Sequence, residues 1–178
     1  MRANGNPNLC LSDFIAPKSS NISDYIGCFA LTAGLEIPKL AKSYKNQGDD
    51  YSAMLVETLG ARIAEAFAEK LHYDVRKQYW GYSPEEEQNI EAILKTSYRG
   101  RRMAIGYSAC PDHSQKTQLF DLLNATKEIG VTLTETYMMV PVSSVCGFFY
   151  AHPELQYFGV GEISEEQERD FQKRKGLK

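Results

Sequence analysis

The sequence predicts an α+β domain in which several helices pack against an antiparallel or mixed sheet. Two observations lead to this class. Apolar residues at every fourth position predict one long helix at about 50–79. Near the C-terminus, three runs rich in aromatic and β-branched residues are separated by turn residues, and they predict adjacent antiparallel strands. Helices that cover an antiparallel sheet define the α+β class, which is not a Rossmann fold.

Composition fits one domain that spans residues 1–178. Of the 178 residues, 43% are hydrophobic and 24% are charged, which is enough for one substantial core. The formal net charge of -3 implies no basic face, so we expect no nucleic-acid partner. No segment approaches the roughly 18 consecutive apolar residues of a membrane span, and the first residues lack the apolar region of a secretory signal. We therefore expect no membrane partner.

The cysteines indicate a reducing compartment. Four are present and they lie far apart, without a Cys-x-x-Cys pair: Cys10, Cys28, Cys110 and Cys146. This spacing fits reduced thiols better than a disulfide framework or a zinc ribbon, so we expect a cytoplasmic protein.

In the first half of the chain, residues 25–34 ("YIGCFALTAG") predict a buried strand and residues 37–45 a short helix. Asp50 is the predicted N-cap of the long helix, because its carboxylate can accept hydrogen bonds from the first turn. The apolar stripe of that helix predicts a surface that faces the core. Its members are Leu55, Leu59, Ile63, Phe67, Leu71 and Val75, broadened by Met54, Ala64 and Ala68.

In the second half, Ser83-Pro84 and the three glutamates that follow resemble an N-cap, an N1 proline and an acidic first turn, and predict a helix over 84–97. Residues 116–128 predict a further helix. The three predicted strands are "VTLTETYMMV", "SSVCGFFYAHP" and "QYFGVGEIS", and "SEEQERDFQKRKG" predicts a helix at the C-terminus.

The stretch "RRMAIGYSACPDH", residues 101–113, carries the most varied chemistry. Cys110, Asp112 and His113 have the atom types of a zinc site, but their spacing argues against one. Cys110 and His113 could form a nucleophile and its base, although a stiff turn after Pro111 is the stronger interpretation. Arg101 and Arg102 could bind a carboxylate, but a solvated pair in a loop is favoured by the residues alone.

Two further features are ambiguous from the residues alone. Residues 159–164 ("GVGEIS") resemble a clipped nucleotide loop, but too few residues follow for a second parallel strand, so a Rossmann interpretation fails. Tyr157 and Phe158 are adjacent on a predicted strand and point to opposite faces, so one can join the core while the other is offered to a ligand. Glu65 lies off the apolar stripe and is predicted to be an ordinary surface glutamate.

Four long segments resemble the activation domain at the C-terminus of cobalamin-dependent methionine synthase. They are "LSDFIAPKSSNISDYIGCFALTAG", "ARIAEAFAEKLHYDVRKQYWGY", "YRGRRMAIGYSACPDHSQK" and "SVCGFFYAHPELQYFGVGEIS". The resemblance covers nearly the whole chain, and the segments occur in the family's order. It implies a mixed α/β fold that binds S-adenosylmethionine and is unrelated to Rossmann-like methyltransferases. We expect the chain to correspond to the C-terminal part of that domain.

The resemblance also implies a reaction and partners. In the family, cobalamin carries a methyl group from methyltetrahydrofolate to homocysteine, and it is occasionally oxidised to an inactive form. The activation domain then presents S-adenosylmethionine to the cobalamin-binding domain while a flavodoxin-like protein supplies an electron. The expected cofactors are therefore S-adenosylmethionine and cobalamin, the latter bound by a neighbouring domain. The expected partners are that cobalamin-binding domain and a flavodoxin-like electron donor.

Site residues follow from the resemblance by position. Arg102 would bind the ligand's carboxylate, and Ala104 would contribute backbone polar groups. Glu65 matches an acidic residue that faces the ligand's amino group or sulfonium. Tyr157 and Phe158 occupy the position of paired aromatics beside the ligand, where an aromatic face can favour a sulfonium.

The loop after Ala104 is similar to the part of the family domain that meets cobalamin. Tyr107 matches a tyrosine that approaches the cobalamin face, and Gly106 would give the loop its freedom. On this interpretation Cys110, Asp112 and His113 shape the loop and do no chemistry.

Three functions remain open. The leading one is a ligand-presenting domain of a methyltransferase, which has no catalytic residue of its own because cobalamin supplies the chemistry. The second is an interaction module that docks a cobalamin domain and an electron donor without binding a ligand. The third is an independent enzyme that uses Cys110 and His113.

Overall fold

The computed structural model describes residues 8–87, 89–174 and 176, and they form an α+β fold, as predicted. The strands are β1 Gly27–Thr32, β2 Arg101–Ala104, β3 Thr132–Leu133, β4 Met139–Val140 and β5 Ser144–Tyr150. The α-helices are α1 Ile37–Asn46, α2 Asp50–Asp74, α3 Ile90–Leu94, α4 Gln115–Leu123, α5 Ala125–Ile129 and α6 Glu165–Arg174. Short 3₁₀ turns lie at Leu11–Phe14 and Lys18–Ser20, and a π turn at Val75–Tyr79 follows α2. None of the described helices combines the length and the apolar character that a bilayer crossing requires.

A three-stranded antiparallel sheet, ordered β1-β5-β2, separates two layers of helices. Because side chains alternate along each strand, Phe29 and Phe149 share one face, where they pack with Ala64 and Ala68 of α2. The opposite face, which carries Cys146, packs with buried side chains of α4 and α5. Strands β3 and β4 form a separate hairpin.

The strand predictions are confirmed in part. The segment 25–34 contains β1, the segment 143–153 contains β5, and "VTLTETYMMV" folds into the β3–β4 hairpin. The prediction for "QYFGVGEIS" is wrong, because residues 156–164 form no strand. Side chains connect this segment to β2: Oε1 of Gln156 accepts a hydrogen bond from Arg101, and the Tyr157 hydroxyl donates to the Arg102 carbonyl. The segment forms no ladder of backbone hydrogen bonds with a strand.

The predicted apolar stripe of α2 is buried only in part. Ala64, Ala68 and Val75 lie in the core and Leu71 packs against it. The prediction is wrong for the large residues nearer the start of the helix, which are between 41% and 59% exposed: Met54, Leu55, Leu59, Ile63 and Phe67.

Close packing explains why small residues take the buried face of α2. Ala53, Gly60, Ala64 and Ala68 are all buried. A Cβ atom at Gly60 would lie 2.6 Å from Cδ1 of Ile37 in α1, so a larger residue would push the two helices apart. Helix α2 therefore approaches its neighbours through a strip of small side chains, and its bulky residues remain outside.

The two ends of α2 differ slightly from the prediction. The N-cap is Asp49, whose Oδ1 accepts a hydrogen bond of 2.9 Å from the Ser52 N–H, whereas Asp50 is the first helical residue. That backbone hydrogen bond lowers the pKa of Asp49. At the other end, Val75 C=O accepts bonds from Trp80 N–H (2.9 Å) and Gly81 N–H (3.1 Å), which close the π turn. The helical segment thus ends at Tyr79, as predicted.

The remaining helix predictions have mixed outcomes. The helix predicted over 84–97 is wrong at its start: α3 covers only Ile90–Leu94 and is capped by Asn89. Glu86 binds Arg76 instead of starting a helix, so a tertiary ion pair overrides the local cap signal. The helix predicted over 116–128 is divided in two at Asn124, which has a left-handed φ of 51°. The C-terminal helix is confirmed as α6.

His72 of α2 is a neutral core residue. It is 0% exposed, its ring stacks on Phe149 at 5.1 Å, and Nε2 lies 3.3 Å from the Tyr82 hydroxyl oxygen. Burial, followed by the positive charge of Arg76, lowers the pKa of His72 from 6.5 to about 2. The folded protein therefore holds this imidazole uncharged at neutral pH.

We expect Asp49→Ala to lower the unfolding midpoint more than Asp50→Ala, because only Asp49 accepts the capping bond from Ser52. Thermal unfolding of the two variants, followed by circular dichroism, checks this. Equal midpoints would show that the capping bond contributes nothing to stability. A lower midpoint for Asp50→Ala than for Asp49→Ala would show that Asp50 is the N-cap, as predicted from the sequence.

We also expect the free energy of unfolding to fall as the pH is lowered from 7 to 5. The unfolded chain takes up a proton at His72 below about pH 6.5 and the folded chain does not, so stability decreases by about 1.4 kcal/mol per pH unit once uptake is complete, or about 2 kcal/mol at pH 5. Urea unfolding of wild type and His72→Phe at both pH values measures the difference. His152→Gln is the control and should keep the wild-type dependence. If the free energy of unfolding of His72→Phe falls between pH 7 and pH 5 as much as that of wild type, His72 is not the group responsible.

Candidate functional site

The two neighbouring arginines of β2 point to opposite faces of the sheet. Arg101 is 3% exposed, and its Nη1 donates to the carbonyls of Tyr98 (2.7 Å) and Gly100 (2.6 Å). Its Nη2 donates to Oε1 of Gln156 at 2.6 Å. The expectation of a solvated arginine pair in a loop is therefore wrong: both residues lie on a strand, and Nη1 and Nη2 of Arg101 are occupied by structural hydrogen bonds.

Arg102 faces α2 and meets two carboxylates there. Its Nη2 lies 3.4 Å from Oε2 of Glu69 and 3.8 Å from Oε2 of Glu65. The Arg102 side chain is 14% exposed, against 23% for Glu69 and 49% for Glu65. Glu65 lies at the surface, as the apolar pattern predicts, and the structure brings its carboxylate close to Arg102.

A row of polar residues runs along one side of α2 and the π turn that follows it: Glu65, Glu69, His72 and Arg76. The spacings of four, three and four residues place them on one side of the helical segment. Glu69 and Arg76 were not predicted as site residues. Their helical spacing was the available signal, but the stronger apolar stripe of the same helix obscured it.

Arg76 is fully buried, like His72, with 0% exposure. Its Nε and Nη2 donate to the two carboxylate oxygens of Glu86, both at 2.7 Å. Its guanidinium carbon lies 3.8 Å from the centre of the Tyr98 ring, which is a cation–π contact. Its Nη1 lies 3.9 Å from Oε1 of Glu69. Glu69 therefore stands between the two guanidinium groups of Arg76 and Arg102.

Carboxylates surround the guanidinium groups of this cluster. The ion pairs of Arg76 and Arg102 are with three carboxylates, those of Glu65, Glu69 and Glu86. Burial, together with the charge of Glu69, raises the pKa of Tyr98. Within the described part of the chain, the buried Nε of Arg102 has no hydrogen-bond partner. A buried polar atom without a partner is uncommon in a folded protein and marks Arg102 as a candidate ligand-binding residue.

The adjacent aromatics differ in burial, as predicted, although they do not lie on a strand. The Tyr157 side chain is exposed to 56%, and its hydroxyl donates to the Arg102 carbonyl at 3.1 Å. Phe158 packs against a core cluster, with its ring centre 5.9 Å from that of Phe14. Only Tyr157 thus presents an accessible ring beside Arg102.

A tight turn after β2 displays Tyr107. Gly106 N–H donates to the Cys110 carbonyl (2.7 Å), and Cys110 N–H donates to the Tyr107 carbonyl (2.8 Å). Gly106 has a φ of +100°, and a Cβ atom there would overlap the His113 ring, so only glycine fits. Tyr107 is 68% exposed at this turn. Ala104, at the end of β2, pairs with Gly147 of β5.

Cys110, Asp112 and His113 each have other partners. The Cys110 Sγ lies 3.4 Å from Oε1 of Gln115, and Asp112 Oδ1 accepts bonds from Ser114. His113 Nδ1 lies 2.8 Å from Nζ of the buried Lys116. Among the described residues, no group of three or more His, Cys, Asp or Glu side chains could hold a metal ion. The four cysteines form no disulfide.

Comparison with known proteins identifies the family of this chain. The sequence model of the family described as "Vitamin B12 dependent methionine synthase, activation domain" matches residues 1–176. A crystal structure of the MetH reactivation domain bound to AdoHcy is 46% identical in sequence and superposes with a TM-score of 0.92. The match covers 94% of this chain and 52% of that one, so this chain spans about half the length of the solved domain. The chain belongs to the family of activation domains of vitamin B12 dependent methionine synthase.

Proposed function

We propose that this chain binds S-adenosylmethionine beside Arg102 and holds it for methyl transfer to cobalamin on a neighbouring domain. The observation that carries the proposal is the Arg102 guanidinium, nearly buried, facing two carboxylates and retaining an unpartnered Nε. The solved relative, which is bound to AdoHcy, supports the same ligand class. AdoHcy is S-adenosylmethionine without the transferable methyl group.

The ligand's three charged groups fit the charges around Arg102. Its carboxylate pairs with the guanidinium fork of Arg102, which is a charge-assisted interaction. Its ammonium and sulfonium are cations, and the carboxylates of the cluster favour them. Glu65 is the accessible carboxylate for this purpose, and the exposed ring of Tyr157 offers a face to the sulfonium.

Ala104 and Phe158 act indirectly in this arrangement. Ala104 has a small side chain at the end of β2, which lets the ligand approach the backbone. Phe158 packs into the core and fixes the backbone that carries Tyr157.

The exposed Tyr107 supports the second half of the proposal. Gly106 lets the chain turn sharply, and Tyr107 is exposed on this turn, where it can contact the cobalamin-loaded domain. When cobalamin is bound by the neighbouring domain, it supplies the methyl-accepting centre. The residues of this chain hold and orient the methyl donor, so the chain needs no acid–base or nucleophilic residue of its own and acts as part of a methyltransferase. A flavodoxin-like protein is the partner that supplies the electron.

We expect Arg102→Ala to weaken S-adenosylmethionine binding by about 10-fold or more, the loss that corresponds to a charge-assisted contact of ~1.5–3 kcal/mol. Isothermal titration calorimetry of wild type and the variant measures this. Arg169→Ala, on the exposed face of α6, is the matched control and should bind like wild type. If wild type shows no binding at millimolar ligand, or if Arg102→Ala binds equally well, the proposal is wrong.

We expect Tyr107→Ala to leave the Kd for S-adenosylmethionine within about twofold and to weaken binding to a cobalamin-loaded partner domain by about 5-fold or more, as for an interface hot spot. Tyr51→Ala, at an equally exposed tyrosine (70%), is the control. Equal effects of the two variants on docking would contradict the role of Tyr107. Docking by a chain that binds no ligand would instead favour an interaction module.

A further inference from the structure

We propose that Glu69 positions Arg102 for the ligand, and that the ligand's carboxylate replaces Glu65, not Glu69. This inference rests on the proposed function of Arg102 as the residue that binds the carboxylate. Both glutamates lie near the same nitrogen of Arg102 and differ in their surroundings. Their different surroundings assign them different roles.

Glu69 is held from both sides. Its Oε2 lies 3.4 Å from Nη2 of Arg102 and its Oε1 lies 3.9 Å from Nη1 of Arg76. Arg76 is itself fixed by two hydrogen bonds of 2.7 Å to Glu86 and by the ring of Tyr98 at 3.8 Å. Glu69 therefore connects Arg102 to a rigid, buried part of the protein.

Glu65 is held from one side. In the described part of the chain its ion pair is with Arg102, at the longer distance of 3.8 Å, and 49% of its side chain is exposed. An ion pair of this exposure is weak, because water screens it and the side chain gains freedom when it leaves. A ligand carboxylate can replace Glu65 at low cost, whereas the removal of Glu69 would leave two guanidinium groups without a shared anion.

The exchange leaves Glu65 close to the ligand. Once displaced from Arg102, its carboxylate can pair with the ligand's ammonium or sulfonium. The free protein thus keeps Arg102 paired and oriented. Ligand binding breaks one weak ion pair, between Arg102 and Glu65, and forms two ionic contacts, one from the ligand to each of these residues. Glu69 is a positioning residue, since it acts on the ligand through Arg102.

Glu69→Gln and Glu65→Gln form a matched pair, because each removes one negative charge from the same cluster and retains the shape of the side chain. We expect Glu69→Gln to weaken S-adenosylmethionine binding by about 10-fold or more. We expect Glu65→Gln to weaken it less, by about 3-fold, because the exposed Glu65 carboxylate makes only a water-screened contact with the ligand's cations. In an Arg102→Ala background, Glu69→Gln should cause less than about a 2-fold further loss, because residues that act through one contact are not additive. Calorimetric titrations of the single and double variants give these ratios.

Equal losses in the two single variants would show that only the net charge matters, and would overturn the assignment of Glu69. Additive losses in the Arg102→Ala background would overturn it as well. If wild type binds and Arg102→Ala weakens binding while Glu69→Gln does not, the proposed function stands and this inference fails.

A second measurement needs no ligand. The Arg102 Nε–H signal in a ¹⁵N NMR spectrum, assigned by its loss in Arg102→Lys, reports whether the guanidinium is held. We expect the signal to persist in wild type and Glu65→Gln and to be lost by exchange in Glu69→Gln, while the backbone spectrum stays dispersed. Persistence of the signal in Glu69→Gln would overturn the positioning role even if S-adenosylmethionine does not bind.

Discussion

The buried guanidinium of Arg76 is the constraint on which the candidate site depends. A cation without access to water must be surrounded by anions and hydrogen-bond acceptors, and removal of one partner of such a pair costs about 3–5 kcal/mol. Glu86, Glu69 and the ring of Tyr98 meet this requirement from three segments of the chain. The pairing fixes the path between α2 and β2, and so determines where Arg102 can lie.

The edge strand β2 turns this buried cluster into an accessible site. Adjacent arginines on a strand face opposite ways, so Arg101 stabilises the loop around Tyr98 and Gly100 while Arg102 reaches towards α2. Tyr157 covers the outer edge of β2 through its bond to the Arg102 carbonyl. One short strand therefore separates a structural arginine from one that is available to a ligand.

Local sequence patterns predicted the elements that their own residues mark. The strand at 25–34 follows from its apolar and aromatic composition, the long helix from periodicity and the C-terminal helix from its end charges, and the structure confirms them. The helix expected from Ser83 failed because the ion pair of Glu86 with Arg76 outweighs a cap, and that pair joins residues whose proximity no local pattern contains. The buried face of α2 was misjudged because hydrophobicity does not report how closely two helices approach. At Gly60 the lack of a side chain matters more than the bulk of Leu59.

The site was less predictable than the fold. Family resemblance supplied Arg102 and Glu65, whereas the residue pattern alone placed both in solvent. Glu69 and Arg76 were not predicted to belong to the site, because charged residues are seldom buried and the exceptions depend on partners that are distant in sequence. Helical spacing of polar residues was the one local sign of them.

The π turn after α2 adds one residue to its segment. Val75–Tyr79 carries one residue more than an α-helical turn would need, and Trp80, which packs against the core, follows directly. Deletion of a single residue there would let the turn relax into α-helix, and the chain beyond it would keep nearly the same orientation, because a π turn is an α-helical turn with one residue inserted. A homologue that lacks one residue in this segment would therefore keep Trp80 and Tyr82 against the same core, and would lose the local bulge in which Arg76 lies.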